Sequence, residues 1–133
     1  MAEGEVELFN PPELGPPVGF AHAAAGAGLV VLGGQIGCDA SGRVLVPGDI
    51  AAQFAQAIQN VATALRAAGT SPERTLKLTY FVTDAAAYRA ALKPIGRAYA
   101  AVFGRHFPAT SLFEVKGLYD PEAMVEIECT ALR

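Results

Sequence analysis

The chain has 133 residues, of which 52% are hydrophobic and 17% charged, and its formal net charge is −3. This length fits one domain over residues 1–133, and the composition excludes intrinsic disorder because enough apolar surface can be buried to offset the ordering entropy. No run of lysine or arginine provides a basic surface for a phosphate backbone, so nucleic acid is not expected as a partner. The mean hydropathy of +0.31 is high for an alanine-rich chain, which predicts an oligomer that buries further surface.

The two cysteines, Cys38 and Cys129, lie far apart in the sequence. The first residues, MAEGEVEL, have neither the basic nor the apolar region of an export signal. The uncharged segment from Phe20 to Cys38 is interrupted by glycines and lacks the roughly 20-residue apolar run of a membrane span. We therefore expect a cytoplasmic protein with reduced thiols and no membrane partner.

The first predicted elements follow a proline-rich N-terminal arm at about residues 1–19, where proline disfavours helices and central strands. Residues 20–25 and 29–37 have the composition of two strands joined by a glycine-containing turn. Residues 38–48 are rich in turn formers and predict a loop with at most a short strand. The chain therefore opens with an arm and a β-hairpin.

Apolar residues then recur every three or four positions from Ile50 to Leu65, which places them on one helix face. Asp49 suits the N-cap and Gly69 the position after the C-cap, so we predict a helix over about 49–68.

In the segment 75–83 apolar residues alternate with mainly polar ones, which predicts a strand. Its apolar face is predicted to carry Leu76, Leu78, Tyr80 and Val82. Its other face is predicted to carry Thr75, Lys77, Thr79 and Phe81. A second helix, capped by Thr83 or Asp84, should run to Gly104 with a break near 90–94, because Pro94 removes a hydrogen bond.

Two further alternating segments, 110–117 and 124–132, complete the order β-β-α-β-α-β-β. Two helices with one apolar stripe each cover only one face of such a sheet, which indicates an α+β layered domain. The uncovered face carries Glu126 and Glu128, about 7 Å apart along the strand. If another subunit closes over this face, their repulsion and burial should raise at least one pKa, as suits an acid or base catalyst. The alternative is a pair of solvated carboxylates, or one paired with Lys77.

Other chemistry has weaker support in the sequence. A Cys38 nucleophile with His22 or His106 as base has no local motif, although such groups meet in space and not in sequence. The histidines and cysteines lack metal-ligand spacing, and the glycines do not form a dinucleotide fingerprint, so no metal or cofactor is expected. The strand end at 33–35 forms either a tight turn or a site where backbone N–H groups and the Gln35 amide meet a small ligand.

Six segments together resemble the RidA/YjgF family: LGPP (14–17), GGQIG (33–37), GDIAAQFAQAIQNVATALRAAG (48–69), KLTYFVTD (77–84), FPATSLFEV (107–115) and VEIECTAL (125–132). The resemblance covers nearly the whole chain from about residue 10, in the family's order and spacing. It implies a chorismate-mutase-like α+β subunit and a homotrimer with small-molecule pockets between its subunits. The best-known members hydrolyse 2-imino or 2-enamino acids, which pyridoxal-phosphate enzymes produce, to 2-oxo acids and ammonia.

The resemblance also assigns roles to individual residues. Glu126 matches the catalytic carboxylate that positions water, and the expected substrate-binding residues are Gly33, Gly34, Gln35, Thr110, Ser111 and Leu112. In the family motif P-A-R-[ST] the arginine grips the substrate carboxylate, whereas this chain has Thr110 there. Gly33 and Pro17 replace a typical serine and tyrosine. Strand parity and the resemblance together place Glu126 and Thr110 in one cleft.

Two functions from different classes follow. The chain is either a deaminase-type hydrolase acting on a neutral or differently anchored substrate, or a non-catalytic trimer that binds a metabolite or a protein. The ribonuclease activity attached to the family by naming tradition is not favoured, because the chain is negatively charged.

Overall fold

The structure is a computed structural model that describes residues 4–133. The strands are β1 (Glu7–Phe9), β2 (Ala23–Gly26), β3 (Leu29–Leu32), β4 (Gln35–Ile36), β5 (Thr75–Val82), β6 (Ala109–Glu114) and β7 (Val125–Leu132). The helices are α1 (Ile50–Ala67), α2 (Ala85–Ala90) and α3 (Leu92–Phe103). The strands form one mixed sheet in the order β1-β2-β3-β7-β5-β6, with β4 also paired to β7. Only β5 and β6 are parallel, as expected for strands joined by a helical crossover, and the α+β prediction is confirmed.

The N-terminal arm contributes more than was predicted, because β1 pairs with β2 and extends the sheet. The predicted hairpin is present as β2 and β3, joined by Ala27 and Gly28 with φ angles of 51° and 78°. Two residues with positive φ form the tight turn whose twist matches that of antiparallel strands. The strand predicted over 29–37 is interrupted at Gly33 and Gly34, and β4 follows them.

Helix α1 has the predicted ends. The Asp49 carboxylate accepts a hydrogen bond of 3.0 Å from the Ala52 N–H, which satisfies one free donor of the first turn. At the other end Gly69 has a φ of 82°, and its N–H and that of Thr70 donate to carbonyls of the last turn.

The break expected around Pro94 separates α2 from α3 at Ala91. Asp84 caps α2 by accepting a hydrogen bond of 3.0 Å from the Ala87 N–H. Because proline has no N–H, a new helix that starts two residues before it loses no internal bond. The two short helices therefore replace the single kinked one.

A β-bulge makes the predicted alternation wrong at the start of β5. Thr75 pairs with Ala131 and Lys77 with Thr130, so Leu76 is an extra residue in this strand. As a result Thr75 is turned to the core at 3% exposure, whereas Leu76 is 46% exposed. From Lys77 onward the predicted faces are correct.

The core lies between the sheet and helices α1 and α3, and its largest fully buried side chains include Phe54, Ile58, Leu65, Leu78 and Ile127. One buried polar residue connects α1 to the start of β7. The Gln53 side-chain amide accepts a hydrogen bond of 2.8 Å from the Met124 N–H and donates one of 3.2 Å to the Glu122 carbonyl. These bonds fix the segment that leads to Glu126.

Within residues 4–133, no helix is both long and apolar enough to cross a bilayer.

Candidate functional site

Glu126 lies on β7, on the sheet face that the helices leave uncovered. Its cross-strand neighbour on β5 is Phe81, whose ring stacks on Phe113 of β6 at a centroid distance of 6.1 Å. The carboxylate is half-buried, and this burial, followed by repulsion from Glu128, raises the pKa of Glu126 above its ordinary value. The predicted effect of the carboxylate pair is thus present. A raised pKa makes the ionised carboxylate a stronger base, which suits it to take a proton from water.

Gly34 packs directly against the Glu126 carboxylate. A Cβ at this position would lie 2.5 Å from Cδ of Glu126 and 2.8 Å from its Oε2, so only glycine lets the two approach. The Gly34 N–H has no hydrogen-bond partner among residues 4–133. At the gap between β3 and β4, a carboxylate of raised pKa therefore packs against a glycine whose N–H is free.

The neighbouring residues Gly33 and Gln35 serve the interior instead of a ligand. The Gly33 N–H donates a hydrogen bond of 2.9 Å to the carbonyl of His22. The Gln35 amide nitrogen is buried and donates to Nδ1 of His22 at 3.1 Å and to the Gly33 carbonyl at 3.2 Å. Nε2 of His22 donates a hydrogen bond of 2.6 Å to the Gly15 carbonyl. Because a carbonyl can only accept, this bond places the imidazole proton on Nε2. The expectation that the Gln35 amide faces a ligand is therefore wrong within the subunit.

The three predicted residues of β6 divide between the two faces of the sheet. Thr110 and Leu112 pair with Leu78 and Tyr80 and so lie on the helix side. Ser111 pairs with Thr79 and shares the face of Glu126. The parity argument that put Thr110 and Glu126 in one cleft is thus wrong for a single chain. The two can meet only across a contact between chains.

Lys77 also lies on the face of Glu126, but it does not neutralise a carboxylate. Its Nζ donates 2.7 Å to Oγ of Ser111, and no ion pair is formed by Lys77 within the described residues. The alternative that it pairs with Glu126 or Glu128 is therefore wrong. Phe81, the cross-strand neighbour of Glu126, and Phe113, which stacks on Phe81, were missed as site residues, although their strand positions place them on the same face.

The cysteine and histidine hypotheses find no geometry in the described part of the chain. Cys38 and Cys129 are buried free thiols whose pKa values burial raises, which disfavours the thiolate. His106 donates a hydrogen bond of 2.8 Å to the Thr75 carbonyl, and neither histidine has a hydrogen bond to a cysteine among the described residues. Residues 4–133 contain no group of three or more side chains arranged to hold a metal ion.

Comparison with known proteins identifies the family of the chain. Residues 12–133 match the family model described as Endoribonuclease L-PSP. The chain belongs to the RidA/YjgF family. Among curated RidA/YjgF relatives, the RutC family protein UK114 of Drosophila melanogaster is 33% identical over 117 residues, covering 88% of this chain and 81% of that one. The human 2-iminobutanoate/2-iminopropanoate deaminase is 28% identical over 123 residues, covering 92% and 84%.

Solved structures of the RidA/YjgF family have the same fold. The Rid family protein YyfA from Yersinia pestis superimposes with a TM-score of 0.85 at 27% identity, covering 97% of this chain and all of that one. The YjgF gene product of E. coli gives a TM-score of 0.80 at 29% identity, covering 96% and 98%. The chorismate-mutase-like α+β subunit expected from the sequence is confirmed.

Proposed function

We propose that this RidA/YjgF protein hydrolyses imines or enamines in clefts between the subunits of a homotrimer, with Glu126 activating the water. The observation that carries the proposal is the half-buried Glu126 carboxylate of raised pKa, packed on Gly34 beside its free N–H. The human relative is named as a deaminase of small imino acids, which supports this reaction class.

The reaction needs only groups that lie on this face. Glu126 takes a proton from water while the water oxygen bonds to the imine carbon, and the C=N π electrons move to nitrogen. The carboxyl then returns the proton to nitrogen, and the Gly34 N–H donates to the oxygen of the resulting carbinolamine. In the last step Glu126 takes the hydroxyl proton of the carbinolamine and passes it to nitrogen while the C–N bond breaks and the C=O bond forms, which releases ammonia and a carbonyl product. No redox partner or cofactor is required.

The trimer proposal has support from surface that a single chain leaves exposed. The uncovered sheet face carries the exposed apolar side chains of Leu8, Leu29, Val31, Phe113 and Leu132. Strand β6 is one of the two edge strands of the sheet and is exposed along most of its length. Long apolar edges are normally covered, because they invite pairing with another chain. In a closed trimer, β6 of one subunit would bring Thr110 and Ser111 toward another subunit's Glu126.

We therefore expect sedimentation equilibrium at micromolar concentration to return three times the 13.8 kDa subunit mass. Phe113→Asp places a charge in the proposed interface and should shift the equilibrium toward smaller species. Tyr119→Asp, at a fully exposed position, is the matched control and should leave the mass unchanged. A wild-type chain that sediments as a monomer contradicts the trimer and removes the cleft with it.

A second expectation concerns the substrate anchor. Thr110 is exposed and uncharged, and its Oγ1 donates 2.9 Å to the Pro108 carbonyl, so it cannot replace a bidentate arginine. Loss of a charge-assisted contact costs about 1.5 to 3 kcal/mol, so little hydrolysis of 2-aminoacrylate or 2-iminobutyrate is expected.

Thr110→Arg should raise kcat/KM for 2-iminobutyrate by about tenfold or more, and the uncharged Thr110→Gln should not. Ammonia release from 2-iminobutyrate generated in situ measures both. Wild-type activity equal to that of an arginine-bearing family member would mean that another cation anchors the carboxylate.

A further inference from the structure

A groove of about 600 Å³ lies on the helix side of the sheet, opposite to the face that carries Glu126. Five aromatic side chains line it: Phe54, Tyr80, Tyr88, Tyr99 and Phe107. Their rings already contact one another, Phe54 with Tyr80 edge to face at 5.4 Å and Tyr99 with Phe107 stacked at 5.6 Å. The volume falls within the range of small-molecule sites, about 300 to 1,000 Å³.

Small residues on α3 create this space. Gly96 and Ala100 line the groove, and a Cβ built at Gly96 meets no atom within 4 Å. Glycine inside a helix costs roughly 0.5 to 1 kcal/mol relative to alanine, and no positive φ requires it here. Gly96 therefore lowers the stability of the helix, and its missing side chain leaves the groove open.

The polar groups in the groove are neutral donors. The phenol oxygens of Tyr80 and Tyr88 have no hydrogen-bond partner among residues 4–133, and neither is sealed from solvent. Tyr99, by contrast, donates 2.5 Å to the His106 carbonyl. Burial raises the pKa values of Tyr80 and Tyr88, so both phenols stay protonated at neutral pH. No charged side chain of the described residues lines the groove.

We infer that the groove binds a flat, uncharged aromatic molecule of one or two rings that carries a hydrogen-bond acceptor. The exposed ring of Phe107 and the partly exposed rings of Tyr88 and Tyr99 supply stacking partners, and the free phenols of Tyr80 and Tyr88 supply donors to the acceptor. A carboxylate is disfavoured because it would lose its hydration with no cation to compensate. Pro108 and Thr110 also line the groove, so one end of it lies at the proposed substrate anchor. The inference rests on the rings and the two free phenols, and Glu126 of the same subunit lies on the other face of the sheet.

Three probes of one shape test this chemistry at pH 7.5: quinoline with a ring acceptor, naphthalene without one, and anionic 2-naphthoate. Affinities are measured by calorimetry, and the binding face is mapped by amide shifts in NMR. Quinoline should bind about 3- to 10-fold more tightly than naphthalene, the value of one neutral hydrogen bond, and 2-naphthoate should bind most weakly. Preferred binding of 2-naphthoate overturns the inference, as does the absence of saturable quinoline binding.

Two sets of variants assign the binding to the groove. Gly96→Leu fills it and should weaken quinoline binding on the order of tenfold or more, whereas Ala101→Leu, exposed on the same helix, should not. The double change Tyr80→Phe and Tyr88→Phe should bind quinoline and naphthalene equally. If Gly96→Leu instead dissociates the assembly while quinoline fails to bind wild type, a segment of a second copy fills the groove and the inference is wrong.

Discussion

Glu126→Gln is expected to lower the turnover of an imine substrate on the order of 100-fold, the contribution of a general base. Glutamine keeps the shape and the hydrogen-bonding reach of the side chain but cannot accept the proton of water. Substrate affinity should therefore stay close to wild type. The wild-type rate should rise with pH through an apparent pKa above the ordinary value of glutamate, and the variant should lack this rise, which a pH series of kcat measures.

The same substitution should not weaken the fold. A carboxyl whose pKa is raised by folding holds its proton more tightly in the folded state than in the unfolded state. Stability is therefore lost as pH rises from the unfolded to the folded pKa, and the ionised group opposes folding above that window. Removing the charge should leave the free energy of unfolding at pH 7 unchanged or slightly higher, as urea denaturation measures.

Glu128→Gln is the matched control, because Glu128 lies two residues further along the same face and is exposed. It should retain most of the activity, with only a small effect through the lost repulsion on Glu126. An equal loss of activity in both variants would mean that the pair is structural, and full activity in Glu126→Gln would exclude the proposed base.

Gly34→Ala is expected to cause a similar loss of turnover by a different route. The new Cβ would lie 2.5 Å from Cδ of Glu126, and the flexible carboxylate must move away. A misplacement of about 1 Å in a catalytic group costs on the order of 100-fold in rate. Because the displaced atoms are the end of a long side chain, stability should change by less than about 1 kcal/mol.

Gly117→Ala controls for the loss of a glycine, since a Cβ there meets no atom within 4 Å and no positive φ is involved. It should match wild type in both activity and stability. Should Gly34→Ala retain wild-type turnover, the contact between Gly34 and Glu126 would be a packing detail and the carboxylate would act, if at all, from another position.

Local signals explain which parts of the fold could be predicted from the sequence. The helix α1 was predictable at both ends because Asp49 and Gly69 satisfy backbone groups through their own chemistry. The break between α2 and α3 was predictable because Pro94 lacks an N–H. Glu126 could be placed on the uncovered face because alternation along β7 is uninterrupted.

The features that were missed depend on partners distant in sequence. The bulge at Leu76 arises from the pairing of β5 with β7, and neither strand alone contains a signal for it. The side of the sheet on which Thr110 lies depends on its register with Leu78, which a parallel pairing sets through the whole crossover. The Gln35 amide was misassigned because its partner His22 lies in another segment.

Semicarbazide trapping of free imine tests the central proposal most directly. Imines are generated in situ from a panel of primary amines and amino acids, and the surviving imine is trapped with and without the protein. The proposal predicts that wild type shortens the lifetime of uncharged imines more than that of 2-iminobutyrate, and that Glu126→Gln does so on the order of 100-fold less well. Imine lifetimes that are the same with wild type, with Glu126→Gln and without protein would contradict hydrolysis and leave a trimer that only binds.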